Sequence, residues 1–375
     1  MLLFFQNFWL FVTLVLVLHF MVRLRSAYGG RRWLSPLVLI ILALVLSQSW
    51  QGQVRAWLGP AADGFINAGC LALGYLYFFF LTALVLDFVR LVLTVSVALG
   101  APAAWRTLLK ARYGVPAALW LAAAVTLYSY NMAFSPRLLE VDLETAKLPT
   151  ATDELRIVQI SDTHIGRFIG HRELKNILRL AVNAAPDLVV FTGDILDSPK
   201  GAYNQEAALF AELRPRLGIF AVLGNHERSF SLPAALDFYR RARLNLLRGQ
   251  AVAVGGLVIA GVDDEYFRGR KDAGQLLEAF RADHRFILLL KHRPALDPGA
   301  QGLFDLQLSG HTHGGQVWPG HFIALRDNGL NFGLHPVPGR GHVYISRGAG
   351  FWGLPFRFLA PPEVTLFKLR RPAAG

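Results

Sequence analysis

The sequence predicts an α/β domain with a sheet core, preceded by a membrane-spanning region of four helices. Two observations carry this. The first 150 of the 375 residues are largely apolar and hold only 11 of the 38 Lys/Arg and 5 of the 26 Asp/Glu. Beyond residue 152, short β-branched runs alternate with stretches of helical spacing, the pattern of a sheet with packed helices. The expected division is 1–135 for the apolar region, 136–152 for a linker marked by Pro136 and Pro149, and 153–375 for the α/β domain.

Taken in order, Leu2–Val22, Trp33–Trp50, Ala68–Phe88 and Val115–Met132 have the length and apolarity of transmembrane helices, which need about 20 residues. None has the polar face that a soluble bundle requires. The first is not read as a cleaved signal, because its arginines follow the apolar run instead of preceding it. Arg23, Arg25, Arg31 and Arg32 follow the first span, and Arg90, Arg106, Lys110 and Arg112 surround the end of the third. The loop between the second and third spans has only Arg55, offset by Asp63. By the positive-inside rule this places the N-terminus outside and the α/β domain on the extracytoplasmic side of an inner or cell membrane. Asp87 and Arg90, three apart, are expected to neutralise each other, and His19 to be an interfacial residue. The lone Cys70 excludes an internal disulfide. The net charge of +12 comes without a basic run interleaved with aromatics, so no nucleic-acid partner is expected.

In the second part, "LRIVQISDTH" reads as a buried strand, and His171–Ala185 as a helix with Leu174, Ile177, Leu178 and Val182 on one face, stopped by Pro186. "DLVVFTGD", "GIFAVLGNHE", "GLVIAGVDD", "FILLLKHRP", "DLQLSGHTHGGQ" and "EVTLFKLR" read as further strands. Helices are expected around Gln205–Leu213 and Pro233–Arg243.

Polar residues gather where these strands end. Asp162 and His164 follow the first, Asp194 the second, Asn225 and His226 the third, His292 the run "FILLL", and His311 and His313 the run "DLQLS". Ligands of α/β sheets collect beyond the carboxyl ends of strands. Asp162/His164 and His311/His313 are both spaced i, i+2, which in extended backbone points each pair to one side. An oxygen and imidazole donor set without thiolate suits zinc, manganese or iron. Seven donors suggest two ions sharing a carboxylate. Singly, His292 reads equally as a structural histidine, Asp197 as a turn cap and Asn225 as a turn residue. Gly193, Gly224, Gly310, Gly314 and Gly315 around the motifs are expected to permit tight turns and to leave room for a phosphate.

"SDTHIG", "TGDILD", "GNHE", "KHRP" and "SGHTHGGQ", in this order, resemble the motifs of the calcineurin-like metallophosphoesterases. "GAGFWGLPFRFLAPPEVTLFKL" is similar to the closing segment of a membrane-anchored bacterial branch of that family. The resemblance implies a two-sheet sandwich flanked by helices with two divalent metal ions at one edge. It implies that Asp162, His164 and His313 hold one ion, that Asn225, His292 and His311 hold the other, and that Asp194 bridges them. It also implies that His226 protonates the leaving oxygen or stabilises phosphoryl charge. Asp197 reads as a supporting residue, and Glu227 is left unassigned.

The activity so implied is phosphoester hydrolysis. Arg167 and Arg293, beside the motifs, are read either as phosphate clamps or as ordinary surface arginines. The apolar segments "VWPGHFIALRDNGLNFGLHPVPG" and "GFWGLPFRF" read either as core and turns or as a lip admitting a lipid-linked phosphodiester or pyrophosphate beside a bilayer. Two alternatives stand beside this. One is a UDP-diacylglucosamine pyrophosphohydrolase of the lipid A type, which needs a cytoplasmic site. The other is a metal-binding envelope protein without catalysis. The oligomeric state is not legible.

Overall fold

The alternation of apolar side chains along the central strands builds three layers of core. On β2 (Glu154–Ile160), Leu155 and Ile157 join one buried cluster while Val158 and Ile160 join another. β3 (Leu188–Phe191) repeats this with Leu188 and Val190 against Val189 and Phe191. In a second sheet, Leu288 and Leu290 of β8 (Phe286–Leu290) share the middle cluster, and Ile287 and Leu289 face a third. A strand buried on both faces reads as a continuous apolar run because neither face meets water. The result is two six-stranded sheets face to face, with helices on their outer sides.

This computed structural model describes residues 2–29, 34–48, 50–102, 104–105, 111–197, 203–265, 267 and 272–372. The chain divides into two units, Met1–Tyr130 and Asn131–Gly375. The first sheet has the order β1 (Arg137–Glu144), β12 (Glu363–Arg370), β2, β3, β4 (Ile219–Ala221), β5 (Asn245–Leu246). The second has β10 (Gly333–Pro336), β11 (His342–Ile345), β9 (Leu306–Ser309), β8, β7 (Leu257–Gly261), β6 (Gln250–Val254). β2 to β5 run parallel, as do β7, β8, β9 and β11. The carboxyl ends of β2, β3 and β4 therefore share an edge, and so do those of β8 and β9.

Helices α6 (His171–Asn183), α7 (Asn204–Leu209), α8 (Asn225–Phe230), α9 (Leu232–Arg241), α10 (Ala273–Leu277) and α11 (Gly320–Asn328) complete this unit. α6 buries Leu174, Ile177, Leu178 and Ala181, whereas Val182, expected on that face, is exposed. The stretch 136–152, read from sequence as a linker, contains β1, which pairs along its whole length with β12. Its charges at Glu140, Asp142 and Glu144 hide the partly buried Leu138, Val141 and Leu143 between them.

The first unit is helical: α1 (Leu2–Tyr28), α2 (Leu34–Leu46), α3 (Gln51–Leu58), α4 (Ala62–Ala98) and most of α5 (Ala111–Ala133). A helix lies within each of the four predicted spans, Trp33 and Ser49 of the second being outside the described residues, yet among the described residues only Leu10–Tyr28 and Gln51–Ala98 are long and apolar enough to cross a membrane. The count of four spans is thus not reproduced. The 13 residues of α2 rise about 20 Å, short of a hydrocarbon core of about 30 Å. α5 loses apolarity through Tyr128, Ser129, Tyr130 and Asn131. Asp87 pairs with Arg90 at 3.6 Å, as expected, and also with Arg23 of α1. Arg31, Arg32, Arg106 and Lys110, on which the loop-charge argument drew, lie outside the described residues.

Candidate metal centre

The parallel strands of both sheets deliver their polar residues through tight left-handed turns. Asp162, His164, Asp194, His311 and His313 have φ between 49° and 68°. This conformation is uncommon for residues other than glycine and costs of the order of 1 kcal/mol or more at each. The expectation that the i, i+2 pairs lie on extended backbone is therefore overturned. The chain turns at each of these residues instead, and that is how loops from two sheets aim at one place.

Asp162, His164 and His313 form one group. The Nε2 atoms of His164 and His313 are 3.0 Å apart, and Asp162 Oδ1 is 3.5 Å from His313 Nε2. Around His292 Nε2 lie Asp194 Oδ2, Asn225 Oδ1 and His311 Nδ1, each at 3.2 Å. Asp194 Oδ2 is also 3.9 Å from His164 Nε2, so one carboxylate reaches both groups. His311 and His313, two residues apart, fall in different groups. All seven sequence-derived candidates are brought together.

The donor chemistry fits divalent cations. His292 Nδ1 donates to the Thr192 carbonyl at 2.8 Å, which leaves the Nε2 lone pair of a neutral ring facing three further lone-pair atoms. Four acceptors converging without a proton among them need a cation. In its absence a proton serves. Burial alone would lower His292, but the Asp194 carboxylate and the other nearby acids raise it to about 10. Burial pushes His311 down to about 2, helped by the positive charge on His292, so this ring stays neutral and able to ligate. Burial alone would raise Asp194, yet the charges of His292, His226 and His164 hold it well below the usual carboxylate range.

His226 stands beside both groups as the second residue of α8. Its Nδ1 is 2.8 Å from Asp197 Oδ1, which is also 3.4 Å from His164 Nδ1. Burial would lower His226; the Asp197 hydrogen bond and the charges of Asp194, Asp197 and Glu227 raise it to about 9.

Gly193, Gly314 and Gly315, with φ of 92°, 58° and 77°, make the tight turns expected of the motif glycines, whereas two others serve a different purpose. A methyl group at Gly224 would overlap Asp194 Oδ1, and one at Gly310 would overlap Ser161 Oγ and Asp162 Oδ2. At these two positions the space is taken by the carboxylates themselves, not left for a phosphate. Glu227, unassigned from sequence, is fully buried and accepts backbone N–H bonds from Asp194, Ile195, Leu196 and Gly224 at 2.7–3.1 Å. It ties the β3 loop to the β4 loop.

Three residues escaped the sequence reading. Arg357, fully buried, donates to the His313 carbonyl at 2.7 Å and lies 3.0 Å from His313 Nδ1. A lone charge in the run "GLPFRFLA" was the available signal. Gln316 grips the backbone of Trp352 from both ends, Nε2 to the carbonyl at 2.8 Å and Oε1 from the N–H at 2.9 Å. Asp264, beyond β7, accepts from Arg293 Nε at 3.0 Å. Arg293 is thus held by a partner, while Arg167 is partly buried in the loop after β2.

A family profile for calcineurin-like phosphoesterases matches residues 155–315, from β2 to the last histidine motif. An uncharacterized metallophosphoesterase of Aquifex aeolicus is 35% identical over 263 residues, covering 67% of this chain and 98% of its own length. The uncharacterized metallophosphoesterase YkuE of Bacillus subtilis is 32% identical over 286 residues, covering 71% and 97%. A transmembrane protein with metallophosphoesterase domain from Danio rerio is 29% identical over 272 residues, covering 68% of this chain and 62% of that protein. With the converging donors of both sheets, these likenesses settle the kinship: the chain belongs to the calcineurin-like metallophosphoesterases, a family of metal-dependent phosphoester hydrolases.

Proposed function

We propose that this protein is a membrane-anchored phosphoesterase with two divalent ions, manganese, zinc or iron, acting on a phosphodiester or pyrophosphate of a lipid-linked substrate. Asp162, His164 and His313 would hold one ion and Asn225, His292 and His311 the other, with Asp194 serving both. The observation that carries this is the reach of the Asp194 carboxylate to both His292 and His164. When bound, the ions neutralise phosphoryl charge and make water acidic enough to react near neutral pH. The protein's own residues do the rest. Asp197 accepts a hydrogen bond from Nδ1–H of His226 and so leaves Nε2–H to serve the leaving oxygen. Arg293, steadied by Asp264, stands near His311 to orient a phosphate.

The apolar stretches Leu10–Tyr28 and Gln51–Ala98, together with a relative described as a transmembrane protein, support anchoring in a bilayer. The loop charges favour an extracytoplasmic catalytic domain. A reporter active only in the cytoplasm, fused at the C-terminus, should be silent. Activity there would reverse the orientation and bring forward the lipid A pyrophosphohydrolase reading.

The catalytic claim is tested with the full chain in detergent. Chelator-stripped protein is reloaded with manganese, zinc or iron and assayed on a chromogenic diester and monoester, with Asp194→Asn alongside. Metal-dependent turnover lost in the variant is expected. Bound metal without turnover on any phosphoester would favour the non-catalytic metal-binding reading.

A further inference from the structure

Beside the metal centre lies an apolar ledge made of two chain segments. Gln316 clamps Trp352 and also donates to the Leu354 carbonyl at 3.2 Å. Phe358 N–H donates to the Gln316 carbonyl, and Trp318 N–H to the Phe358 carbonyl. These bonds join residues 316–318 to 352–358, directly after the His311/His313 turn. The joined segments and α11 present Trp318, Phe322, Ile323, Trp352 and Leu359, each between 39% and 62% exposed. α11 has no buried residue at all, so its apolar side chains do not serve the core. Large apolar side chains exposed on segments tied together in this way mark a binding site for apolar matter.

The ledge has a definite direction. The Trp352 indole lies 5.8 Å from the His226 ring, centroid to centroid, at 71°. His226 gives its Nδ1 to Asp197, so its free Nε2 serves the leaving oxygen. Trp352 thus brings the ledge into ring contact with the residue that serves that oxygen. Phe134, near the start of this unit, packs its ring on Phe351, one residue before Trp352. A hydrocarbon chain is the occupant that this surface fits, in a polypeptide whose own apolar helices are suited to lipid.

Resting on the phosphoesterase reading above, we propose that the ledge seats the hydrocarbon part of a lipid phosphodiester on the leaving-group side of phosphorus. The enzyme then breaks the bond between phosphorus and the lipid oxygen. Water forms the new bond to phosphorus, and the electron pair of the broken bond stays on the lipid oxygen. That oxygen takes the Nε2 proton of His226, and a proton from the attacking water is released in exchange. The products are a lipid alcohol and a water-soluble phosphomonoester. Trp352 is the residue that sets this specificity.

The test uses the metal-loaded full chain with vesicles of phosphatidylglycerol and phosphatidylethanolamine in oxygen-18 water, with products read by mass spectrometry. Methyl 4-nitrophenyl phosphate serves as the soluble comparison. Diacylglycerol, with the label in the glycerol phosphate or phosphoethanolamine, is the expected result. Trp352→Ala and Ile323→Asp should each lower the ratio of kcat/KM on vesicles to kcat/KM on the soluble diester by about tenfold. Phosphatidate carrying the label would overturn the proposal, as would an unchanged ratio in both variants. Turnover of the soluble diester with no lipid product would sink the ledge but leave the phosphoesterase standing. Failure on both substrates would remove both.

Discussion

Asp197 accepts a hydrogen bond from His226 Nδ1 at 2.8 Å, and by doing so decides which nitrogen of that ring can meet a substrate. The same oxygen is 3.4 Å from His164 Nδ1. The carboxylate is held below its usual range: burial opposes this, but bonds to the two histidines prevail. Asp197→Asn should lower kcat by about ten- to a hundredfold, the usual cost of losing a carboxylate behind a catalytic or ligating histidine. The sign of the accompanying shift is fixed. A histidine raised to about 9 by its acid partner is protonated below that pH and loses its proton above it. Removing the charge must lower that value. NMR titration of metal-free protein should show His226 deprotonating at lower pH in the variant, and an unmoved titration would refute the pairing.

Gly310→Ala tests whether glycine is there for the ligands or for the substrate. The added methyl overlaps Asp162 Oδ2 and Ser161 Oγ, so Asp162 must swing away. The backbone N–H of His311 would lose its 3.1 Å bonds to that carboxylate. Metal content by elemental analysis should fall from two ions per chain toward one, with the circular dichroism spectrum unchanged. Two tightly held ions in the variant would show that the space serves something else.

What could be read in the sequence depended on whether an element's signal was local. β2, β3 and β8 are buried on both faces and announce themselves as apolar runs. β1 is an edge strand whose partner, β12, lies more than 200 residues away, and its charges face solvent. No local pattern reveals such a strand. The candidate ligands were legible because donor-rich turns follow apolar strands. Their left-handed backbone was not, since nothing in an Asp or His marks the sign of φ. Arg357 was missed for a related reason: its partner His313 is 44 residues away.

Glu227 gives a prediction about stability. Its two oxygens accept four backbone N–H groups from two loops, one of them its own helix-capping bond to Gly224. In Glu227→Gln an amide NH2 faces donors in place of an acceptor. A buried donor left without a partner costs about 1–3 kcal/mol. The Tm of the metal-free protein should fall accordingly, and because the β3 and β4 loops carry Asp194 and Asn225, metal affinity should fall with it. A Tm equal to that of the parent protein would show that the four bonds contribute nothing net.

Arg357 leads to the last prediction. Its guanidinium is fully buried and its donors go to the carbonyls of Gly350 and His313, with His313 Nδ1 3.0 Å away. The Gly350 N–H in turn donates to the Asp162 carbonyl at 3.0 Å. One planar fork therefore fixes the loop behind Asp162 and the backbone turn at His313 together. Lysine carries the same charge but cannot make several parallel bonds in fixed directions. Arg357→Lys should thus weaken the ion of the Asp162 group by about ten- to a hundredfold, the range for residues supporting a ligand. Chelator competition would read this directly. The ion around His292 should keep its affinity, since Thr192 orients that ring independently through its carbonyl. Equal loss at both ions would mean that Arg357 supports the fold of the unit instead of one ligand, and no loss at either would mean that the turn at His313 holds itself.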